Sequence, residues 1–162
     1  MRTVLLSITL VLLPGFEDRQ SSGILCKCPD QQQADNILGT RSELSEITSE
    51  TSQAPKKYRC TYTVPTADAA AARSNLFYRL DVFSDDAAAH REFRSMRDAN
   101  AGFAGQEELQ IGDEAWSHSD GANFTLVAMR TGSYLIVVKV NKLTHKTSAT
   151  ALRDFVESLA AR

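Results

Sequence analysis

Apolar and polar positions change period several times along this chain, and each period predicts an element. Leu76, Tyr78, Leu80 and Val82 alternate with Phe77, Arg79, Asp81 and Phe83, the two-residue repeat of a half-buried strand. Tyr58, Cys60, Tyr62 and Val64 repeat that pattern until Pro65 ends it. Ser84-Asp85-Asp86 then supply a cap and negative charge for a helix start. In that helix Ala89, Phe93 and Met96 share a face, with Arg91, Arg94 and Arg97 elsewhere. In the last third, Ala115 to His118, Phe124 to Arg130 and Tyr134 to Val140 read as strands. Between them stand Asp120-Gly121 and Thr131-Gly132, pairs that favour tight hairpins because such turns need positive φ. Leu152, Phe155, Val156 and Leu159 lie at i, i+3, i+4 and i+7 of a closing helix that Ser148 or Thr147 can cap.

The remaining stretches are weaker. After Cys28-Pro29, Ala34, Ile37 and Leu38 have helical spacing and Gly39 closes the run, the usual order of proline at the start and glycine past the end. Residues 40–57 are rich in Ser, Thr and Glu and read as a loop or irregular edge segment. Ala67 to Ala72 is an alanine run, a short helix or a connector. Ala101 to Gly105 reads as a turn, and Glu108 to Ile111 as a short strand. Together these predict an α+β domain: an antiparallel sheet of about five or six strands, ending in a meander, with two or three amphipathic helices burying their stripes on one of its faces.

Composition adds a compartment. Arg2 is followed by the apolar run Val4, Leu5, Leu6, Ile8, Leu10, Val11, Leu12 and Leu13, broken by Pro14-Gly15. A short apolar core behind a positive charge reads as a secretory leader, placed at residues 1–23, ahead of a single domain at 24–162. The run cannot cross a bilayer core of about 30 Å, which needs roughly 20 apolar residues, so no membrane span is expected. The net charge of −2 and pI near 5.9 give no electrostatic case for nucleic acid.

Candidate chemistry is sparse, and no catalytic residue, metal site or cofactor is implied. Cys26, Cys28 and Cys60 allow at most one intrachain disulfide and leave one thiol. Cys26-Lys27-Cys28 has a spacing that can chelate a soft metal or form a redox pair. A closed zinc site, however, wants about four ligands, so the plainer reading is one disulfide and one spare thiol. In Gly112-Asp113-Glu114-Ala115-Trp116 the two adjacent acids point to opposite faces of a strand, so they cannot act together as an acid/base pair. They read as solvated acids beside a turn glycine and a core or rim tryptophan, or else as a ligand-contacting loop of Gly112, Asp113, Glu114 and Trp116. His90, His118 and His145 read as exposed or unpartnered histidines. Asn123-Phe124-Thr125 satisfies the glycosylation sequon.

Several of these short motifs together resemble a family. Cys26, Ala34, Ile37-Leu38-Gly39 and Cys60-Thr61-Tyr62, then Leu80-Asp81-Val82-Phe83, Ala89 and Phe93, Ile111-Gly112-Asp113-Glu114-Ala115, and Thr131 to Val138 look like the small secreted lipoprotein-like domains of actinobacterial-type cell envelopes. Their layout is similar to the PsbP-like α/β sandwich group. The resemblance spans about residues 26–160. It implies a disulfide between Cys26 and Cys60, Cys28 as a free thiol, and a non-catalytic envelope or surface role. Where such relatives carry a small residue before a lipidated cysteine, this chain has Leu25. The expected function is thus an extracytoplasmic binding module, secreted or held in the cell envelope. Its partner would be an envelope protein or small ligand, met on the exposed sheet face or the Gly112–Trp116 loop. The alternative is a thiol redox or metal-handling protein using the Cys-x-Cys pair.

Overall fold

The computed structural model describes residues 28–66 and 73–160. The leader, Cys26 and the alanine run at 67–72 lie outside the described residues. Seven antiparallel strands form one sheet, in the order β1-β2-β3-β7-β6-β5-β4. Two meanders build it. The first, β1 (Glu43–Glu50), β2 (Lys56–Thr63) and β3 (Asn75–Val82), runs from one edge to the middle. Helix α2 (Asp86–Asn100) carries the chain to the other edge, where β4 (Gln106–Leu109), β5 (Glu114–Ser119), β6 (Phe124–Thr131) and β7 (Tyr134–Asn141) run inward until β7 docks on β3. Helix α1 (Gln31–Leu38) precedes β1, and α3 (Ala149–Ala160) closes the chain.

The helices occupy both faces of the sheet, which corrects the expectation of one covered face. On the first face α1 and α3 bury Ala34, Ile37, Leu38, Leu152, Phe155, Val156 and Leu159 against Cys60, Tyr62, Leu76, Tyr78, Val127, Met129, Ile136 and Val138. On the second, α2 presses Phe93 onto Trp116, Ala128 and Leu135. The cause is visible in the inner strands. Val127-Ala128-Met129 and Leu135 to Val138 are apolar at successive positions, and successive strand residues point to opposite faces. A strand apolar on both sides must be covered on both, so these runs require a third layer.

The seventh strand is the one that periodicity missed. Every residue of β1 is exposed, so no alternation marks it, and residues 40–57 are not simply a loop. It forms because β2 offers a complete backbone edge, paired from Glu43↔Thr63 to Glu50↔Lys57 with an irregularity between Leu44 and Glu46. Bulges and charged residues are devices that keep a sheet edge from pairing with another chain. Here Glu43, Glu46 and Glu50 supply the charge, and Arg59 donates to Glu50 across the pair at 3.2 Å.

The helix ends follow their local chemistry. Asp30 caps α1 through a capping box with Gln33, and the left-handed Gly39 ends it. A Cβ on Gly39 would lie 1.9 Å from the Lys146 carbonyl oxygen, so only glycine lets the α1 terminus reach the loop before α3. Asp85 caps α2 by accepting from the Ala88 amide, and this bond, with one from the Ser84 hydroxyl, holds its carboxyl below the usual range. Ser148 caps α3, accepting from the Ala151 amide at 3.0 Å, while its own amide donates to the Ile37 carbonyl at 2.9 Å. Ser148→Ala removes the cap and keeps the α1 link, and urea unfolding should show a loss of about 1 kcal/mol.

Candidate functional site

The Gly112–Trp116 segment turns out to be an anchor between α2 and the sheet. Gly112, at φ +62, has no room for a Cβ, which would lie 2.6 Å from the Arg130 carbonyl oxygen. That close approach lets the Asp113 amide donate to the same oxygen at 2.9 Å. Arg130, only 9% exposed, reaches back from β6: its Nε donates to Glu114 Oε1 at 2.7 Å, and its Nη1 meets Asp113 Oδ2 at 3.1 Å, Asp86 Oδ1 and the Gly132 carbonyl. His90 Nδ1 lies 2.6 Å from the same Glu114 oxygen. Asp113 also accepts from the Gly132 amide at 2.7 Å. Asp86 and His90 come from α2, so one guanidinium fastens the helix's first turns to β5, β6 and the β6–β7 turn.

This arrangement gives the surroundings of most residues singled out in the sequence. Gly112 and Asp113 are exposed and Glu114 half-buried, but both acids are spent on Arg130. Trp116 is 1% exposed, under α2 in the second core. His90 is therefore partnered. His118 is buried rather than exposed, ringed by Phe103, Trp116 and Phe124 with centroids 6.0, 6.3 and 5.0 Å away. The reason is register: His118 shares the α2 face of β5 with Trp116, and strand alternation carries it inward.

Burial alone would raise the Glu114 carboxyl, but the hydrogen bonds from Arg130 and His90 outweigh it and hold the pKa below its ordinary 4.5. A carboxylate depressed in the folded state stabilises the fold above its unfolded pKa, and that stability is lost as pH falls through the folded value. Urea midpoints measured from about pH 6 down to pH 3 should therefore hold steady and then fall below pH 4.5. Glu114→Gln should fall less steeply over that range, and equal slopes would remove Glu114 from the acid response.

The disulfide joins Cys28 and Cys60, with Cα atoms 5.9 Å apart, and not Cys26 and Cys60. Cys60 faces inward on β2 beneath α1, and Cys28 stands just before the α1 cap, packed against the same core. The adjacent Pro29 carbonyl accepts from the Tyr62 hydroxyl, which ties that turn to β2. Cys28 is thus not the free thiol. Among the described residues no three His, Cys, Asp or Glu side chains form a group that could hold a metal, and no helix is long and apolar enough to cross a membrane.

The most site-like concavity lies elsewhere, on the α3 face at the β4–β5–β6 end of the sheet. A groove of about 570 Å³ runs between the start of α3, the loop before it and strands β4 to β6. Such a volume falls within the range of small-ligand sites. Val127, Leu143, Leu152, Ser117, Ser119, Thr125, Thr144 and Thr147 line it, with Val127 and Leu152 almost fully buried. Gln106 and Glu107 line it from β4, and Arg153 from α3 closes on Glu107 at 3.0 Å.

Local chemistry holds the groove's walls. Asp120 accepts from the amides of Ala122, Asn123 and Phe124 and from the Asn123 side chain, closing the β5–β6 turn. Those bonds, the Phe124 amide's first, pull the Asp120 carboxyl well below the usual range. The Asn123 carbonyl in turn accepts from the Lys142 and Leu143 amides, which fixes the loop that roofs the groove. Thr147 Oγ1 accepts from the Thr144 amide at 3.0 Å and shapes the next bend.

No reading of the sequence placed a site here. The available signal was the pair Ser117 and Ser119, hydroxyls at alternate positions opposite Val127 and Thr125, on a face otherwise apolar. No protein-family model, curated protein or solved structure matches this chain.

Proposed function

We propose that this protein is a non-enzymatic binding module that works outside the cytoplasm and holds a small ligand in the groove beside α3. The observation that carries this reading is the groove itself: hydroxyl-bearing residues from two strands and a loop line one concavity, in a volume suited to a small molecule. The strongest cluster of acids and bases supports the same view, since its carboxylates are committed to Arg130 in fastening α2. The Cys28–Cys60 bridge favours an oxidising compartment, where such bonds persist. The leader-like N-terminus and the resemblance to envelope domains point the same way. The ligand site thus moves from the Gly112–Trp116 loop, where the acids are already paired, to the groove.

Amide spectra of the ¹⁵N-labelled protein, recorded against a chemically diverse set of small molecules, test the reading. Saturable shifts should gather on Ser117, Thr125, Leu143, Thr144, Thr147 and Arg153 for at least one compound. Shifts that saturate at the Gly112–Trp116 loop or the open sheet face instead would overturn the groove as the site.

A further inference from the structure

We infer that β1 is a docking edge for an extended segment of another protein, one that alternates basic and apolar residues and adds to the sheet beside β1. This site is independent of the groove, which lies at the β4 end of the sheet, away from β1. Three observations carry it, and the first is the backbone. Strand β1 ends the sheet, so its outer row of N–H and C=O groups has no strand beside it among the described residues. An extended peptide completes such a row, its main-chain bonds giving affinity and its alternate side chains specificity.

The second observation is how the edge is sorted. Among the described residues Leu44, Ile47 and Phe103 are the large apolar side chains left exposed, and the first two, at 46% and 67%, share this strand. On a regular strand, residues three apart point to opposite faces. Here the irregularity between Leu44 and Glu46 brings both to one face. Leu44 pairs with Tyr62 and Ile47 with Cys60, and those two partners belong to the core under α1. The same irregularity gathers the acids on the other face, where Glu43, Glu46 and Glu50 pair with Thr63, Thr61 and Lys57. The bulge thus gives the edge an apolar side and an acidic side, which a partner alternating apolar and basic residues would match.

The third observation is charge. Strand β1 carries three acids and no base. Glu50 meets Arg59 and Lys57, whereas Glu43 and Glu46 have no ion-pair partner among the described residues. Opposite charges facing each other across two strands stabilise the pairing, and like charges oppose it. A second copy would bring the same acids to the same seam. The charge that guards this edge against self-pairing therefore favours a strand bearing lysine or arginine.

The test adds capped synthetic peptides, as long as β1, to the ¹⁵N-labelled full chain and follows its amide shifts. Saturable shifts over Glu43–Glu50 are expected from a peptide of alternating lysine and valine. Replacing its lysines by glutamine should weaken binding about fivefold, and replacing them by glutamate should abolish it. The lysine peptide N-methylated at every residue keeps its charge, loses its backbone donors and should not bind. In the protein, Glu43→Gln combined with Glu46→Gln should lower affinity for the lysine peptide about fivefold, and Ile47→Thr should lower it by a similar factor. These side chains are exposed and the new residues suit a strand edge, so the urea midpoint should hold in both variants. A glutamate peptide binding as tightly as the lysine peptide, an N-methylated peptide keeping its affinity, or a double variant binding at full strength would overturn the proposal. It also falls if no peptide moves the β1 amides, or if raising the protein concentration alone moves them, since the occupant is then a second copy. None of these outcomes bears on the groove, whose reporters are Ser117, Thr125 and Thr147.

Discussion

Arg130→Met should cost about 2–4 kcal/mol of folding stability, a large loss for one side chain. The methionine fills much of the same space, so the loss comes from electrostatics more than from a cavity. With the guanidinium gone, Asp86, Asp113 and Glu114 face one another with His90 as the one remaining cation-forming partner among the described residues. Removing one partner of a buried pair typically costs about 3–5 kcal/mol, because the other charge stays behind uncompensated. Asp86 and Asp113 are 68% and 49% exposed and can hydrate, which sets this case toward the lower end of that range. Urea unfolding reads the loss directly. Adding Glu114→Gln to Arg130→Met should recover part of it, since residues of one network do not act additively. A loss below about 1 kcal/mol would mean that α2 is held by Phe93 and its apolar neighbours, with the ion network adding little.

Cys28→Ser should cost about 3–4 kcal/mol, whereas Cys26→Ser should leave the urea midpoint where it is. The bridge closes a loop with a sequence separation of 32, and the cost reflects the freedom that the unfolded chain regains when that loop opens. The two variants also separate the observed pairing from the Cys26–Cys60 pairing that the family resemblance implies. A direct check uses Lys27, which stands between the cysteines. Trypsin cleaving after Lys27 places Cys26 and Cys28 on different peptides, and cleavage after Arg59 begins a third at Cys60. The unreduced digest should contain the peptide beginning at Cys28 joined to the one beginning at Cys60, with Cys26 on an alkylated peptide of its own. A Cys26-containing peptide joined to Cys60 would reverse the assignment.

The mismatch over the cysteines has a physical origin. Both Cys26 and Cys28 lie within bridging distance of β2 as far as the sequence goes, and spacing alone cannot rank them. The choice is made by α1, whose cap at Asp30 and packing on Tyr62 and Cys60 bring Cys28 over the inward side of β2. The acidic loop is similar. Asp113 and Glu114 read as solvated because Arg130 stands far along the chain, and the β5–β6 register Glu114↔Arg130 is what makes them neighbours. Trp116 and His118 were ambiguous until α2 took its place above them.

What the sequence by itself determined is the set of elements with strong periods. The alternation of β2 and β3, the β-rich runs of β5 to β7, the stripes of α2 and α3, the capping segments Ser84-Asp85-Asp86 and Thr147-Ser148 and the turn at Gly132 all rest on contacts within a few residues, which local chemistry specifies. What only the tertiary structure decided needs partners distant in sequence. Strand β1, polar and exposed throughout, exists through β2's free edge. Which helix covers which face depends on the side of the sheet that each connection crosses. The groove, too, is a product of assembly: its hydroxyl-bearing residues on β5 and β6 stand apart in sequence, and come to line one concavity where α3 and the Leu143–Thr147 loop close on them.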